Sequence, residues 1–208
     1  MSHIIKKTLM VSCPTPGIEE LRVDESFMHP EILNAEIVFA TNQQRVRYGL
    51  PTLVFSKGLQ RIATIHSRQM RLHNFFGHDN PYDNRLRTLL DRIHVAKDPQ
   101  LESFMFFGEN IARHPMLKAG TSYTLLLKDG RPHFMTNNGE ILPYTCTELA
   151  QAAVDGWMNL PGHRANILNP KFGFIGCGCS RILERRHGYT MVHYLLTQDF
   201  GGRSPSSR

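Results

Sequence analysis

Long apolar runs and familiar catalytic motifs are both missing from this 208-residue chain. No stretch approaches the roughly 18 consecutive apolar residues that a membrane-spanning helix requires, so we expect no transmembrane segment. The patterns GxSxG, HExxH and GxGxxG are absent, as is a phosphate-binding loop, which excludes the enzyme classes that these motifs identify. What remains for a binding or active site is polar side chains offered by loops or helix ends.

Charge of one sign is not concentrated along the chain. Lysine and arginine number 24 against 18 acidic residues, and apart from the cluster in RILERRHG the basic residues are scattered. A nucleic-acid-binding protein would concentrate them on one face with interleaved aromatic residues, so we expect no nucleic-acid partner. The net charge of +6 suits an anionic envelope or lipid surface.

Cysteine is scarce, and its four residues match no CxxC or zinc-ribbon spacing. Cys177 and Cys179 alternate along a predicted strand, with Cα atoms roughly 6.5 to 7 Å apart, at the limit for a mutual disulfide. Two alternatives remain open: the cysteines are small buried hydrophobic residues, or one of this pair bonds to Cys146 or Cys13.

The N-terminus carries no convincing export signal. MSHIIKKTLMVSC has an apolar run of five residues before Cys13, whereas a signal peptide needs roughly 7 to 15. MVSC is only faintly similar to a lipoprotein cleavage box. We interpret residues 1–29 as an N-terminal extension and residues 203–208 as a disordered tail.

Helical spacing dominates the first part of the chain. Apolar residues in PEILNAEIVFATNQQRVRYGLP repeat at helical intervals, which predicts a helix with a C-cap at Gly49. A second helix is predicted after Ser56, its N-cap, with His66 and His73 as core histidines in the apolar stripe. His78 follows in the loop FFGHDNPYDN.

The rest of the chain mixes helices and strands. A helix that carries Glu109 is predicted over ESFMFFGENIARH. Residues 121–143 are predicted to form a hairpin insertion with a Lys-Asp-Gly-Arg turn. Thr145 and Glu148 form a capping box before a helix that continues to Trp157. HRANILNP predicts a short helix, and FIGCGCSRI and YTMVHYLLTQDF predict antiparallel strands. This order predicts an α+β fold with helices packed on an antiparallel sheet.

Three polar side chains offered by loops or helix ends are candidates for chemistry: His78, Glu109 and His163. Two imidazoles and a carboxylate can serve as ligands for a divalent metal such as zinc, with positions left open for water. The chain contains 11 histidines, so spacing alone is a weak basis for such a site.

The motifs around these residues carry a family resemblance. NQQRVRYGLPTLVFSKGLQRIATIHSRQM, FFGHDNP, GENIA, GWMNLPGHRANILNPKFGFIGCG and YLLTQDFGG occur in this order. Together they resemble the CAP superfamily of cysteine-rich secretory, antigen-five and pathogenesis-related proteins, most closely its bacterial branch of SCP-like extracellular proteins. The resemblance spans roughly residues 32–201, and we expect residues 30–202 to form a single CAP domain.

The resemblance implies a three-layer α-β-α sandwich with an open cleft. In the family, two histidines and two acidic residues converge there, sometimes around zinc, and the motifs assign His78, Glu109 and His163 to three of these places. The fourth is usually a glutamate five residues before the tryptophan, where this chain has Ala152. Glu148 lies one helical turn earlier and either reaches the cleft in its place or only caps its own helix.

The family resemblance also suggests roles for residues near these three. The lone tryptophan, Trp157, is expected to pack its helix on the sheet. The following residues are expected to line the cleft or to fix its turns: Asn110, Arg164, Asn166, Tyr194 and Gln198.

The resemblance implies binding more than catalysis. The first hypothesis is a secreted or envelope-associated module whose cleft takes a lipid, sterol, peptide or glycan, with zinc as an optional partner. The second is a metal-dependent, peptidase-like hydrolase in which Glu109 is the general base for a metal-bound water. The third is an interaction or toxin-like module that acts through surface loops such as the 121–143 hairpin. Extracellular or envelope localisation follows the family, and a cytoplasmic location is the alternative that the N-terminus leaves.

Overall fold

Helices surround a mainly antiparallel sheet in this computed structural model. The structure describes residues 29–117, 124–128, 131–136, 139–141, 143–186 and 189–204. Cys13, residues 129–130 of the predicted turn and residues 205–208 of the predicted tail lie outside the described residues. Within the described part, no helix has both the length and the apolar composition of a bilayer-spanning segment.

Helices and strands occur in groups along the chain. The helices are α1 (Pro30–Arg47), α2 (Lys57–Leu72), α3 (Leu89–Ala96), α4 (Pro99–Glu102), α5 (Cys146–Met158) and α6 (Pro161–Ile167), with a 3-10 turn at Asn84–Leu86. The strands are β1 (Val54–Phe55), β2 (Phe106–Pro115), β3 (Thr124–Lys128), β4 (Arg131–Thr136), β5 (Gly139–Ile141), β6 (Phe174–Arg186) and β7 (Tyr189–Gly202).

The main sheet has the strand order β1-β6-β7-β2. β7 pairs antiparallel with both β6 and β2, as the sequence predicted for the last two strands. β1 adds a short parallel pairing to the start of β6. The sheet is therefore antiparallel except at one edge.

Helices cover both faces of this sheet. On β6, a Cβ at Gly176 or Gly178 would meet the main chain of α2, so this helix lies directly on the strand. Cys177 and Cys179, which alternate with these glycines, lie on the opposite face in a core shared with α1 and α5. The three-layer α-β-α sandwich is confirmed. Together with Cys146, the two cysteines are free and buried, which agrees with the small-hydrophobe alternative.

The predicted helix ends are confirmed by their hydrogen bonds. The Oγ of Ser56 accepts from the amide of Leu59 at 3.3 Å, and both bonds of the Thr145–Glu148 capping box are present. Gly49 has a positive φ of +72° after α1. This left-handed conformation, which glycine adopts without strain, ends the helix.

Trp157 anchors α5 as expected. Its side chain is 2% exposed within the main core. Its Nε1 donates to the carbonyl of Ile111 at 3.0 Å. Because β2 is an edge strand, this bond satisfies a main-chain group that no neighbouring strand reaches.

The predicted helix around Glu109 is wrong, because this stretch forms β2. Over ten residues β2 pairs with β7, which places Glu109 opposite Asp199. This partner is distant in sequence, and its pairing overrides the local helical spacing. The correction matters because side chains alternate along a strand, so Glu109 and Asn110 point to opposite faces.

Two further predictions need adjustment. His66 is fully buried, as predicted, whereas His73 is exposed at the C-terminus of α2 and stacks on Tyr82 with ring centroids 4.8 Å apart. The 121–143 hairpin has its predicted β3–β4 pairing, with Lys128 opposite Arg131, and β5 adds a third strand.

Candidate functional site

His78 and Glu109 are in direct contact at the β2 edge of the sheet. His78 lies in the loop after α2, and Glu109 lies on β2. Nδ1 of His78 and Oε1 of Glu109 are 2.8 Å apart, and the two side chains are 54% and 5% exposed. A buried carboxylate thus holds an exposed imidazole by one of its two ring nitrogens.

Arg92 binds the other oxygen of the same carboxylate. Its Nη2 contacts Oε2 of Glu109, and its side chain has no exposed surface. Its Nη1 donates to the carbonyl oxygens of His78 at 3.3 Å and Arg87 at 3.4 Å. Arg92 therefore ties the carboxylate to the loop that carries the histidine. Sequence reasoning missed this residue, because an arginine on a short amphipathic helix is ordinarily exposed.

These contacts shift the pKa of both members of the His78–Glu109 pair. Burial raises the pKa of Glu109, but the hydrogen bond with His78 and the charge of Arg92 outweigh burial and bring it below its usual value. The hydrogen bond to Glu109 is also the main reason that the pKa of His78 is raised. Glu109 is therefore ionised at neutral pH.

Two fully buried titratable groups, Asp199 on β7 and His66 on α2, lie beside this pair. Asp199 on β7 is opposite Glu109, and burial, followed by the charge of Glu109, raises the pKa of Asp199 well above its usual value. The Nε2 of His66 lies 2.9 Å from the carbonyl oxygen of Gly77. Sequence reasoning missed Asp199, although an aspartate in an apolar strand is a signal, because acidic residues are rarely buried without a partner.

We expect the free energy of unfolding to fall as the pH drops from 6.5 to about 4, in part because of His66. Burial, followed by the charge of Arg92, lowers the pKa of His66 from 6.5 to about 4. Over this pH range His66 is protonated in the unfolded chain but stays neutral in the folded protein, so a lower pH favours unfolding. Urea denaturation at a series of pH values measures the slope. His66→Gln should reduce this slope. His73→Gln, at the exposed histidine that follows α2, should leave it unchanged. Equal slopes in the two variants would contradict the assignment to His66.

His163 lies in the first turn of α6, which begins at Pro161 after the N-cap Leu160. Its Nδ1 is buried and has no hydrogen-bond partner among the described residues. Burial, followed by the charge of His78, lowers the pKa of His163. The two imidazoles are therefore close enough for their charges to oppose each other.

Two asparagines hold α6 against β2. Asn110 donates to the carbonyl of His163 at 3.2 Å and to Oε1 of Gln198 at 3.0 Å. Asn166 donates to the carbonyl of Glu109 at 3.1 Å and to Oδ1 of Asn110 at 2.9 Å. Both asparagines thus fix the position of His163 relative to β2.

The other predicted cleft residues are Gln198, Tyr194 and Arg164. Gln198 is fully buried, and its Nε2 donates to Oγ1 of Thr41 at 2.7 Å. Tyr194 shares its face of β7 and is also fully buried, so neither side chain contributes surface to a cleft. The Nη2 of Arg164 donates to the hydroxyl of Tyr48 at 3.0 Å, which fixes α6 to the end of α1.

Glu148 has the capping role that the sequence predicted as one alternative. Its Oε2 accepts from the amide of Thr145 at 3.0 Å. That Glu148 also replaces the carboxylate missing at Ala152 stays a prediction.

The described contacts do not provide a complete set of zinc ligands. Within the part of the chain that the structure describes, no three histidine, cysteine, aspartate or glutamate side chains are grouped to hold a metal ion. Both oxygens of Glu109 are engaged, one by His78 and one by Arg92, whose buried positive charge opposes a second cation. Catalytic zinc sites usually use three protein ligands, so the residues do not fit zinc in this arrangement.

The three-layer sandwich and the order of its motifs define the class of this protein. Residues 38–200 match the model of CAP, the cysteine-rich secretory protein family. The chain belongs to this family, which confirms the resemblance found in the sequence.

Similar proteins come from bacteria. The chain is 28% identical over 146 residues to the uncharacterized membrane protein YlbC of Bacillus subtilis strain 168, covering 70% of this chain and 31% of that protein. It is 27% identical over 143 residues to the uncharacterized protein YkwD of the same strain, covering 69% and 40%. A solved extracellular protein with an SCP domain from Bacillus anthracis is 27% identical, with a TM-score of 0.53, covering 84% of this chain and 41% of that one. The chain thus spans less than half the length of each of these relatives.

Proposed function

We propose that this protein is a binding module of the cell envelope or the extracellular space and that the His78–His163 region binds a glycan. The observation that carries the proposal is the exposed imidazole of His78, held in place by buried Glu109 and Arg92. Charged groups that orient an exposed side chain in advance reduce the entropy lost when a ligand binds. The proposal also treats residues 30–202 as one domain, with 121–143 as an insertion.

The loop around His78 has the chemistry that a sugar chain needs. Phe76 and Tyr82 are 48% and 60% exposed, and aromatic rings of this kind can pack on the apolar face of a sugar while polar groups bind its hydroxyls. Asn80 is fully buried and accepts from the amide of Tyr82 at 2.9 Å, which fixes the loop. Rigid aromatic and imidazole groups on a surface loop favour an extended polar ligand over an enclosed sterol.

The same contacts weigh against hydrolysis with Glu109 as general base. A base needs an oxygen that can accept a proton from water, and both oxygens of Glu109 are engaged by cationic or hydrogen-bonding partners. Its lowered pKa also reduces its basicity. The observed geometry is that of a positioning group for His78.

The envelope location rests on relatives. One is named a membrane protein and another an extracellular protein, and each is longer than this chain. The net charge of +6 is compatible with an anionic envelope.

We expect His78→Ala and His163→Ala each to weaken glycan binding by about tenfold, since hydrogen bonds at a positioned site contribute on this order. The probe is a set of purified peptidoglycan glycan strands without stem peptides, and calorimetry measures the affinity. His94→Ala, at an exposed histidine of α3, is the matched control.

Three further arms decide between the hypotheses. Binding that survives a chelator supports the glycan proposal, and binding that requires added zinc would restore the metal. Stem peptides or phosphatidylglycerol vesicles that bind in place of glycan strands would overturn the choice of ligand. Cleavage of the strands that is lost in Glu109→Gln would establish the hydrolase instead.

A further inference from the structure

Three buried polar side chains beside the His78–Glu109 pair carry atoms that lack hydrogen-bond partners. They are His66 on α2, Arg92 on α3 and Asp199 on β7, and none is more than 1% exposed. The atoms are Nδ1 of His66, Nε of Arg92 and both carboxyl oxygens of Asp199, which have no partner within the described residues. Polar atoms buried in proteins are nearly always hydrogen-bonded, so these atoms require partners.

His66 and Arg92 meet beneath the loop that carries His78. Nε2 of His66 lies 2.9 Å from the carbonyl oxygen of Gly77, and Nη1 of Arg92 donates to the next carbonyl, that of His78, at 3.3 Å. Burial lowers the pKa of His66 to about 4, and the charge of Arg92 is the next largest cause. The two side chains are therefore neighbours, yet no hydrogen bond joins Nδ1 of His66 to Nε of Arg92.

Asp199 joins this cluster from the sheet. It is the pairing partner of Glu109, and the side chains of directly opposed residues lie on the same face of a sheet. The Glu109 carboxylate also binds Nη2 of Arg92. Burial and the charge of Glu109 raise the pKa of Asp199, and the charge of Arg92 opposes them. The unpartnered atoms therefore lie in one buried cluster bounded by α2, α3 and β7.

The cluster offers a donor and at least two acceptors. His66 is neutral at pH 7, because its pKa is about 4. Its Nε2 faces a carbonyl oxygen, which can only accept, so Nε2 carries the proton and Nδ1 is an acceptor. Nε of Arg92 is a donor, and the other two guanidinium nitrogens already bind carbonyl oxygens and Glu109. Asp199 keeps at least one accepting oxygen in either protonation state.

These requirements select the bound molecule by its charge. A cation would lie beside the guanidinium of Arg92 and an anion beside the ionised carboxylate of Glu109, in a buried place where charges act strongly. Within the described residues, no group of side chains is arranged to hold a metal ion. A neutral molecule that both donates and accepts meets no such opposition. Water is the smallest such molecule, and buried waters typically make about three hydrogen bonds to polar groups.

We infer that an ordered water molecule is bound inside this cluster and links α2, α3 and β7 beneath the His78 site. It accepts from Nε of Arg92 and donates to Nδ1 of His66 and to a carboxyl oxygen of Asp199. With it, every nitrogen of the Arg92 guanidinium is hydrogen-bonded, so the arginine that positions Glu109 is itself fixed. The inference does not rest on glycan binding, because the water lies among buried side chains and is measured directly.

A high-resolution crystal structure of the full natural chain tests the inference without any substitution. We expect one density peak that lies about 2.7 to 3.2 Å from Nε of Arg92, Nδ1 of His66 and one oxygen of Asp199, the distances of ordinary hydrogen bonds. The absence of this peak would overturn the inference. So would a peak with anomalous scattering and contacts of about 2.1 Å, which would show a metal ion.

Oxygen-17 magnetic relaxation dispersion counts long-lived internal waters in solution and tests the part played by Asp199. Asp199→Asn is the matched control, because it keeps a side-chain oxygen that accepts, and it should hold as many waters as the natural chain. Asp199→Leu removes both oxygens and adds volume, so the count should fall by one. Equal counts in Asp199→Leu and the natural chain would contradict the inference. The crystallographic test decides alone if Asp199→Leu does not fold.

Discussion

We expect Arg92→Met to lower the free energy of unfolding by about 3 to 5 kcal/mol, the usual cost of removing one partner of a buried ion pair. Arg92 has no exposed side-chain surface and binds Glu109, whose side chain is 5% exposed. The variant leaves the Glu109 carboxylate in the same buried position, still bonded to His78 but without its main positive charge. Urea denaturation at neutral pH measures the loss.

The pH dependence and a double variant test the cause of that loss. The pKa of Glu109 is lowered in the folded protein, so its ion pair stabilises the protein above the usual carboxyl pKa of 4.5 and loses this effect as the pH falls. The difference between Arg92→Met and the natural chain should therefore shrink in acid. Arg92→Met combined with Glu109→Leu should be more stable than Arg92→Met alone, because no charge is left unpaired. A double variant that loses the sum of both single effects would contradict the buried-pair explanation.

We expect Gly178→Ala to destabilise the protein by about 3 kcal/mol or more, the upper part of the range for overpacked cores. A Cβ at Gly178 would fall on the main chain of α2 at Ala63 and Thr64. Main-chain atoms of a helix cannot rotate away as a side chain can, so α2 must move from the sheet. Because Gly176 makes the same close approach at Gln60, replacing both glycines should prevent cooperative folding. Thermal unfolding followed by circular dichroism measures both effects.

Gly156→Ala is the matched control for this substitution. A Cβ at Gly156, within α5, would have no atom within 4 Å. Alanine favours a helix over glycine by about 1 kcal/mol, so this variant should be slightly more stable than the natural chain. A similar loss in Gly156→Ala and Gly178→Ala would show that close packing of α2 on β6 is not the reason.

Local signals predicted the helix ends and the last two strands correctly. Ser56, Gly49 and the Thr145–Glu148 capping box act through bonds within a few residues, and such bonds can be inferred from neighbouring sequence. The helix predicted for the stretch that carries Glu109 was wrong for the opposite reason. Its apolar residues are compatible with a helix, and its strand conformation depends on pairing with β7, some 90 residues away.

For the site, the family motifs identified the residues but not their connections. His78, Glu109 and His163 could be named from sequence, and the structure places the first two in contact with the third nearby. Arg92 lies in none of these motifs, and Asp199 lies in YLLTQDFGG but was assigned no role. Their burial became evident only in the folded structure.

The sequence by itself determined the helix caps, the last two strands and the family, because each depends on local residue patterns. Only the tertiary structure decided what the Glu109 carboxylate does. Its strand alternation turns it toward α2, and its two oxygens bind His78, from the loop after α2, and Arg92, from α3. Long-range packing set these partners, because the groups that surround a buried charge come from segments with no local relation to it.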